Sequence, residues 1–469
     1  MTQLLKDIRH WTSVDPTRAA VALADGFFTY QQFSDLIQQA RALLHAHLGD
    51  TRSGMVSIRI EHLARAWIWT IAARSLGFDT LNADVRTMEP PPVAFITDLD
   101  GLESGGGKGS CVHIGPDVLI GGLQRPSGLA DPERVAAGSH LLLSSGTTGT
   151  PKIVEMTERQ HLQSAIEQRH TLDHHRDSVV FGWVFPLQTA VGYRSPVTAW
   201  GVGACVVLHG SPKLAFGNFA LTSAILTPGL LQELVNDAEG LPRRDDIRLL
   251  VTGGPVGWGL AQRARELVSA DLSTMYGSTE LGAVCMTPLR SEEDTFLYRP
   301  LETCQIRILD EDGLEQPRLT QGSVWVLAPN GAQAYFGDQV VTEAFFDKGW
   351  FKTGDLGLLR DDGRLEILGR ANDVLVIRGD KRPSGPVERR ISEALGRNVC
   401  VFSDYRSSAV GDLVVVLEGA PPTASDQLGV EQAIANIGMP FRVTSHPVFP
   451  RNGMGKVMRS ALISEAGLF

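Results

Sequence analysis

Residues 144–152 read SSGTTGTPK, and their types describe an anion cradle. Gly146 and Gly149 leave backbone amides open to close approach, while Ser144, Ser145, Thr147, Thr148 and Thr150 add hydroxyl donors. Lys152 closes the stretch with a positive charge. A polyphosphate wrapped by the chain would use all three kinds of group. The apolar run at 141–143 reads as a buried strand opening into this loop; the plain alternative is a solvent-exposed Ser/Thr/Gly linker. A Walker A loop is excluded by spacing. It needs Gly directly before the lysine and Ser or Thr directly after, whereas Lys152 lies between Pro151 and Ile153.

Three further stretches carry groups suited to a nucleotide. MYGSTELG (275–282) packs an aromatic ring, small residues, a hydroxyl and a carboxylate into a tight segment. GWFKTGDLG (349–357) puts Asp355 behind what reads as a Thr-Gly turn, where a carboxylate accepts hydrogen bonds from a diol. PRNGMGKVMR (450–459) delivers Lys456 on a Gly-rich turn. Each has a bland counterpart: an N-cap or surface carboxylate for Glu280 and Asp355, a solvated lysine for Lys456.

These groups need elements to hold them. Residues 28–49 carry apolar side chains at helical spacing and end on Gly49; MVSIRI reads as a strand, and residues 61–78 as a second helix ending near Gly77. VAFITD and CVHIG read as short strands, and ESGGGKGS (103–110) as a surface loop. Such alternation predicts an α/β layer architecture with a largely parallel sheet, and a second series follows through ACVVLHG, SAILTPGLLQELV and IRLLVTGG. Beyond residue 300, short alternating runs with Asp-Gly turns predict a compact β-structure. A hairpin and connection near Gly369 mark a domain boundary, giving an expected division into 1–368 and 369–469.

Composition bounds the partners. With 469 residues, 43% hydrophobic and 20% charged, the chain is an ordinary globular protein of more than one domain. Its formal net charge of -10 argues against nucleic acid and against anionic membranes, so small molecules are the expected ligands. The charged N-terminus and the lack of a long apolar run predict no signal peptide, no membrane span and a cytoplasmic location. Five scattered cysteines without a CxxC pair predict neither disulfide nor structural zinc, and the histidines of HTLDHHRD (170–177) and HAH (45–47) read as solvated.

In order and spacing, the four stretches together resemble the adenylate-forming enzyme superfamily of acyl- and aryl-CoA synthetases, adenylation domains and luciferases. The resemblance runs from FTYQQF (28–33) to Lys456. It implies a large N-terminal domain of two doubly wound sheets plus a distorted β-barrel, followed by a small mobile α+β lid. ATP and Mg2+ are the implied cofactors, with coenzyme A or phosphopantetheine as acceptor. By the same resemblance, residues 144–152 hold the β and γ phosphates. Gly253, Gly254 and Pro255 lie against adenine, and Tyr276, followed by Gly277 and Ser278, stacks on it. Thr279 bonds the α-phosphate and Glu280 holds the metal, Asp355 and Arg370 bind ribose, and Lys456 reaches the α-phosphate and the substrate carboxylate. Asn372 corresponds to the hinge and Gly379 to the thiol tunnel. Ile153, Val376 and Pro386 depart from the family pattern, which bears on the thiol-transfer half more than on adenylation.

FGWVFPLQTAVGY (181–193) resembles the wall of the acid pocket, so Phe185, Gln188, Thr189 and Gly192, with Gly282, are the implied lining. Pro186 stands where amino-acid-activating members carry an Asp. An unpartnered buried ammonium costs several kcal/mol, on the order of 3–5, so a standard α-amino acid is disfavoured. Thr189 replaces a His common in acyl- and aryl-CoA ligases, and Ala190 an Asn that aryl-acid activators use for a ring hydroxyl, so a salicylate-type substrate loses support. Trp183, Phe185, Tyr193 and Gly282 suggest an apolar acid, while Trp and Phe at alternating spacing are more often plain strand core. The expected activity is carboxylate adenylation followed by thioester formation, in a monomer or homodimer. An enzyme loading a carrier protein or an amine is the alternative, and a nucleotide-binding homologue without catalysis a more distant one.

Overall fold

The computed structural model describes residues 2–51, 53–83, 91–98, 110–113, 136–144, 152–182, 186–238, 240–377, 380–404, 412–452 and 456–468. Ser145, Gly146, Thr147, Thr148, Gly149, Thr150, Trp183, Phe185 and Gly379 lie outside the described residues, as does most of ESGGGKGS. The chain divides into two compact units. The first comprises Met1–Ile225, Thr279–Gly282 and Asn330–Thr342; the second comprises Leu226–Ser278, Ala283–Pro329 and Glu343–Phe469.

In the first unit, one six-stranded sheet runs in the order Ser110–His113, Ala94–Thr97, Met55–Arg59, Asp79–Leu81, His140–Ser144, Lys152–Met156. All its pairs are parallel except the last. Parallel strands are covered on both faces and therefore read as near-continuous apolar runs, as at Leu141 and Leu142, both fully buried. A second sheet of this unit pairs Val179–Phe181, Cys205–Val207 and Ala19–Leu23 in parallel, with Gly26–Thr29 antiparallel at its edge. Phe28 and Thr29, which the apolar spacing placed inside a helix, belong to that edge strand. The helix Tyr30–Leu48 begins behind a capping box in which the Thr29 side chain accepts from the Gln32 amide and Gln32 answers on the Thr29 amide. Such a cap is worth about 1 kcal/mol, enough to fix where the strand stops.

In the second unit, Arg248–Val251 and Leu272–Ser278 pair in parallel and Gly282–Pro288 lies next to the latter. The compact β-structure is an antiparallel sheet in the order Leu297–Tyr298, Leu365–Arg370, Trp350–Leu359, Gly322–Leu327, Gln305–Leu309. Here the expected Thr-Gly turn is absent. Thr353, Gly354 and Asp355 sit inside the ten-residue strand Trp350–Leu359, and Gly354 takes φ +75°, a conformation open to glycine within an otherwise extended run.

Residues 374–468 form an α+β assembly with apolar cores of their own. Val374–Ile377 and Asp380–Pro383 make a hairpin; Val399–Asp404, Asp412–Glu418 and Phe441–His446 make a three-stranded sheet. Alternation along Asp412–Glu418 sends Leu413, Val415 and Leu417 to one core with Val387 and Ile391, and Val414 and Val416 to another with Phe449 and Leu462. No helix among the described residues is long and apolar enough to cross a membrane.

Candidate functional site

The second unit gathers the groups expected to face a nucleoside. Gly253, Gly254 and Pro255 follow the C-terminal end of Arg248–Val251, and Tyr276, Gly277 and Ser278 end the neighbouring parallel strand. Parallel α/β sheets bind ligands outside the carboxyl ends of their strands. The Thr252 hydroxyl ties the two ends together by donating to the Met275 carbonyl at 3.4 Å. Asp355 is buried at 6% exposure, where a lone carboxylate is costly, and each oxygen has a partner: the Tyr276 hydroxyl donates to one at 2.6 Å and Arg370 Nε lies 3.1 Å from the other. That pairing follows from register, because Asp355 and Arg370 are directly opposite on adjacent antiparallel strands. Arg370 is braced by a second bond, to the Thr353 carbonyl at 2.9 Å.

Lys456 joins this group. Its backbone is closed into a tight turn by reciprocal bonds with Asn452, whose side chain accepts from the Lys456 amide at 3.0 Å and whose amide donates to the Lys456 carbonyl at 2.9 Å. Lys456 is half-buried, and Arg370, Asp355 and Asp373 are the charges that act on it. Burial pushes its pKa down and Arg370 adds to the shift, while Asp355 and Asp373 oppose it.

In the first unit stand the groups expected to face phosphates. Ser144 and Lys152 are the last ladder pair before the intervening loop. The Ser144 hydroxyl is buried and has no hydrogen-bond partner among the described residues, as suits a donor awaiting an anion. Lys152 Nζ lies 4.9 Å from the centre of the Tyr335 ring. Partial burial lowers its pKa, countered by Glu280 and Asp338. Thr279 and Glu280 occupy the turn between Leu272–Ser278 and Gly282–Pro288, and the buried Glu280 carboxylate accepts the Tyr335 hydroxyl at 2.9 Å. Magnesium prefers oxygen ligands and is usually held by one or two carboxylates together with substrate phosphates. Glu280, oriented through one oxygen and followed in the same turn by no competing base, fits that requirement.

The implied acid-pocket residues do several jobs. Thr189 is the N-cap of Ala190–Gly201: its hydroxyl accepts from the Gly192 amide at 3.2 Å and donates to the Pro186 carbonyl at 2.8 Å. The Gln188 carbonyl accepts from the Leu143 amide at 2.7 Å, tying this segment to the strand His140–Ser144. Gly282 has φ +80°, a conformation that favours glycine, and a Cβ there would meet the Arg194 guanidinium, whose flexible end would have to move aside. Tyr193 is not a pocket wall. It is 1% exposed, stacks on His140 at 4.0 Å and bonds Arg74, and is thus part of the core. Nor is His174 solvated, since it is buried against Ser223 at 3.0 Å.

Sequence reasoning missed Tyr335, Asp338, Asp373 and Arg194. None sits in a recognisable short pattern. Tyr335 meets Glu280 across 55 positions of chain, a separation that only the fold can close.

The fold is built of α/β layers and brings acidic, basic and hydroxyl side chains from separate segments together. Residues 116–336 match the family model for AMP-binding enzymes. The chain is 28% identical to the 2-succinylbenzoate–CoA ligase of Bacillus subtilis over 345 residues, 70% of this chain and 68% of that one. It is 27% identical to the salicyl-AMP ligase/salicyl-S-ArCP synthetase of Mycobacterium tuberculosis over 415 residues, covering 82% and 71%. In fold it is similar to the o-succinylbenzoate CoA synthetase of Bacillus subtilis bound to its acyl-adenylate (TM-score 0.81, 22% identity, 98% of both chains). It is equally similar to an amide bond synthetase from Marinactinospora thermotolerans (TM-score 0.82, 20% identity, 99% of both). Residues 116–336 thus carry the domain of the AMP-binding enzymes, and in sequence and fold the chain is similar to members of the adenylate-forming superfamily.

Proposed function

We infer that this protein is an acid–thiol ligase: it activates a carboxylic acid with ATP as an acyl-adenylate, releasing pyrophosphate, and passes the acyl group to a thiol. The observation that carries the reading is the joining of Tyr276 to the Asp355–Arg370 pair in the second unit, with the half-buried Lys456 within reach of their charges. Carboxylate attack on the α-phosphorus brings two anions together and spreads charge over the phosphoryl oxygens, so cations and donors must be in place beforehand. Lys456 supplies positive charge to the α-phosphate and the attacking carboxylate, and Asp355 and Asp373 oppose the lowering of its pKa by burial. Asp355, steadied by Tyr276 and Arg370, accepts from the ribose hydroxyls. Thr279 and the 144–152 loop donate to phosphate oxygens, and Gly253, Gly254 and Pro255 border the base. Magnesium, held by Glu280, neutralises phosphate charge when bound.

In the second step the C-terminal segment from residue 369 acts as a lid swivelling at Asn372, which is exposed in the turn between Leu365–Arg370 and Val374–Ile377. The swivel withdraws Lys456 and brings Gly379 to the thiol channel. Coenzyme A is the acceptor favoured by the ligase relatives, while the names of two others contain an aryl carrier protein and an amide bond. Pro186 in place of an acidic partner points to an apolar acid without an α-ammonium, and the cytoplasm is the expected setting.

The test is carboxylate-dependent exchange between ATP and pyrophosphate over a panel of aliphatic, aryl and amino acids. Mass spectrometry with coenzyme A, a carrier protein and an amine then identifies the acceptor. Exchange with an apolar acid and a thioester product are expected. Absence of exchange across the panel refutes the ligase, and strong exchange with a standard amino acid refutes the Pro186 argument.

A further inference from the structure

Asn330–Thr342 and Thr279–Gly282 belong to the first unit, although their neighbours in sequence on both sides belong to the second. The longer excursion is tied down around the phosphate end. The Ala332 amide donates to the Glu280 carbonyl at 2.7 Å, the Phe336 amide to the Ile153 carbonyl at 2.8 Å, and Tyr335 bridges Val154 as an isolated antiparallel pair. Within the segment, the Tyr335 amide donates to the Thr342 hydroxyl at 3.0 Å, and that hydroxyl donates to the Asp338 carbonyl at 2.7 Å. These bonds fix the backbone of Tyr335 and leave its side chain, 4% exposed, a single direction. Its hydroxyl meets Glu280 Oε1 at 2.9 Å and its ring face carries the Lys152 ammonium at 4.9 Å.

Resting on the reading of Glu280 as the magnesium carboxylate, we propose that Tyr335 is a positioning residue that presets both Glu280 and Lys152 for the metal–triphosphate. The chemistry of a phenol suits that task. It donates one hydrogen bond to a carboxylate without cancelling its charge, so the anion remains available to a cation through its other oxygen. The ring holds an ammonium through its quadrupole, again without neutralising it. An acid or a base at this position would consume one of the two charges. Burial and the neighbouring Glu280 push the Tyr335 pKa upward, which keeps the phenol protonated and donating.

The test measures ATP affinity by calorimetry, with and without magnesium, for the wild type and for Tyr335→Phe, Tyr335→Leu and Glu280→Gln. Phe keeps the ring and loses the donor. The magnesium concentration giving half of the metal-dependent gain in affinity should rise about tenfold, the weight of one hydrogen bond to a charged group, with metal-free affinity unchanged. Leu also removes the ring, so metal-free affinity should fall roughly two- to fivefold as well. Metal-free binding also serves as the check that each variant is folded. A Phe variant that titrates with magnesium like the wild type, while Glu280→Gln abolishes the metal-dependent gain, overturns the role of Tyr335 alone. If Glu280→Gln retains that gain, the metal assignment fails and the proposal fails with it.

Discussion

Lys456 is held where its charge is both needed and threatened. Burial and Arg370 pull its pKa down, Asp355 and Asp373 hold it up, and the turn closed by Asn452 fixes where the chain delivers it. A preorganised cation facing developing phosphoryl charge is worth about 3–4 kcal/mol. Lys456→Ala should therefore slow acid-dependent ATP–pyrophosphate exchange by about two to three decades. Its unfolding midpoint should stay close to wild type, because the lysine is only half-buried. Exchange at the wild-type rate would show that some other group stabilises the transition state. Asp355 differs in kind. Tyr276 and Arg370 both bond to it, so its removal strands two half-buried partners, and loss of activity in such a variant would mix binding with stability.

At the scale of elements, the short turn 371–373 joins the strand that carries Arg370 to the hairpin that opens the C-terminal assembly. Its Asp373 amide donates to the Arg370 carbonyl at 3.0 Å, leaving exposed Asn372 as the position with most freedom to change its backbone angles. Proline there fixes φ near −65°. Asn372→Pro should leave pyrophosphate exchange within a few-fold of wild type and reduce thioester formation by at least about tenfold, as expected when a lid cannot swivel. Equal loss in both half-reactions, measured separately, would remove the hinge. Elements were the most legible part of the molecule from sequence. The helix at residues 30–48 declares itself by period and by Gly49, and the strand before Ser144 by its apolar run. Register was not legible. That Gly354 is a kink inside a strand, and that Asp355 therefore faces Arg370, depends on ladder partners that no local pattern specifies. The residues of the site that carry motifs were readable for the same reason that Tyr335 was not: Thr279 and Glu280 sit beside Tyr276 in the chain, whereas Tyr335 reaches Glu280 only through tertiary contact.

At the scale of the whole molecule, the buried polar groups of the first unit set how stability responds to pH. His140 is fully buried, with Nε2 donating to the Leu187 carbonyl at 2.9 Å, which leaves Nδ1 to accept from the Thr80 hydroxyl at 2.8 Å. Those partners select the neutral ring. Burial, with Arg74 adding to it, pushes the pKa of His140 from 6.5 down to about 3, and His161 is pushed well below its ordinary value by burial and by Arg74, His140 and Arg194. A histidine depressed in the folded state binds its proton more readily when unfolded, so its contribution to stability is complete above about pH 6.5 and is lost as pH falls from there towards the folded value. For His140 the loss between pH 7.5 and pH 5 is about 2 kcal/mol, and His161 adds in the same direction. Asp79, raised by burial, works in the opposite sense at lower pH. Urea unfolding followed by the fluorescence of Trp67 and Trp69, both buried in the helix Leu63–Ser75, should thus show a midpoint that drops on acidification to pH 5. His140→Asn, which cannot take up the proton, should be less stable at pH 7.5 yet lose less on acidification. A wild-type midpoint equal at the two pH values, or an acid loss untouched by the substitution, would show that these rings are not the acid-labile point of the fold.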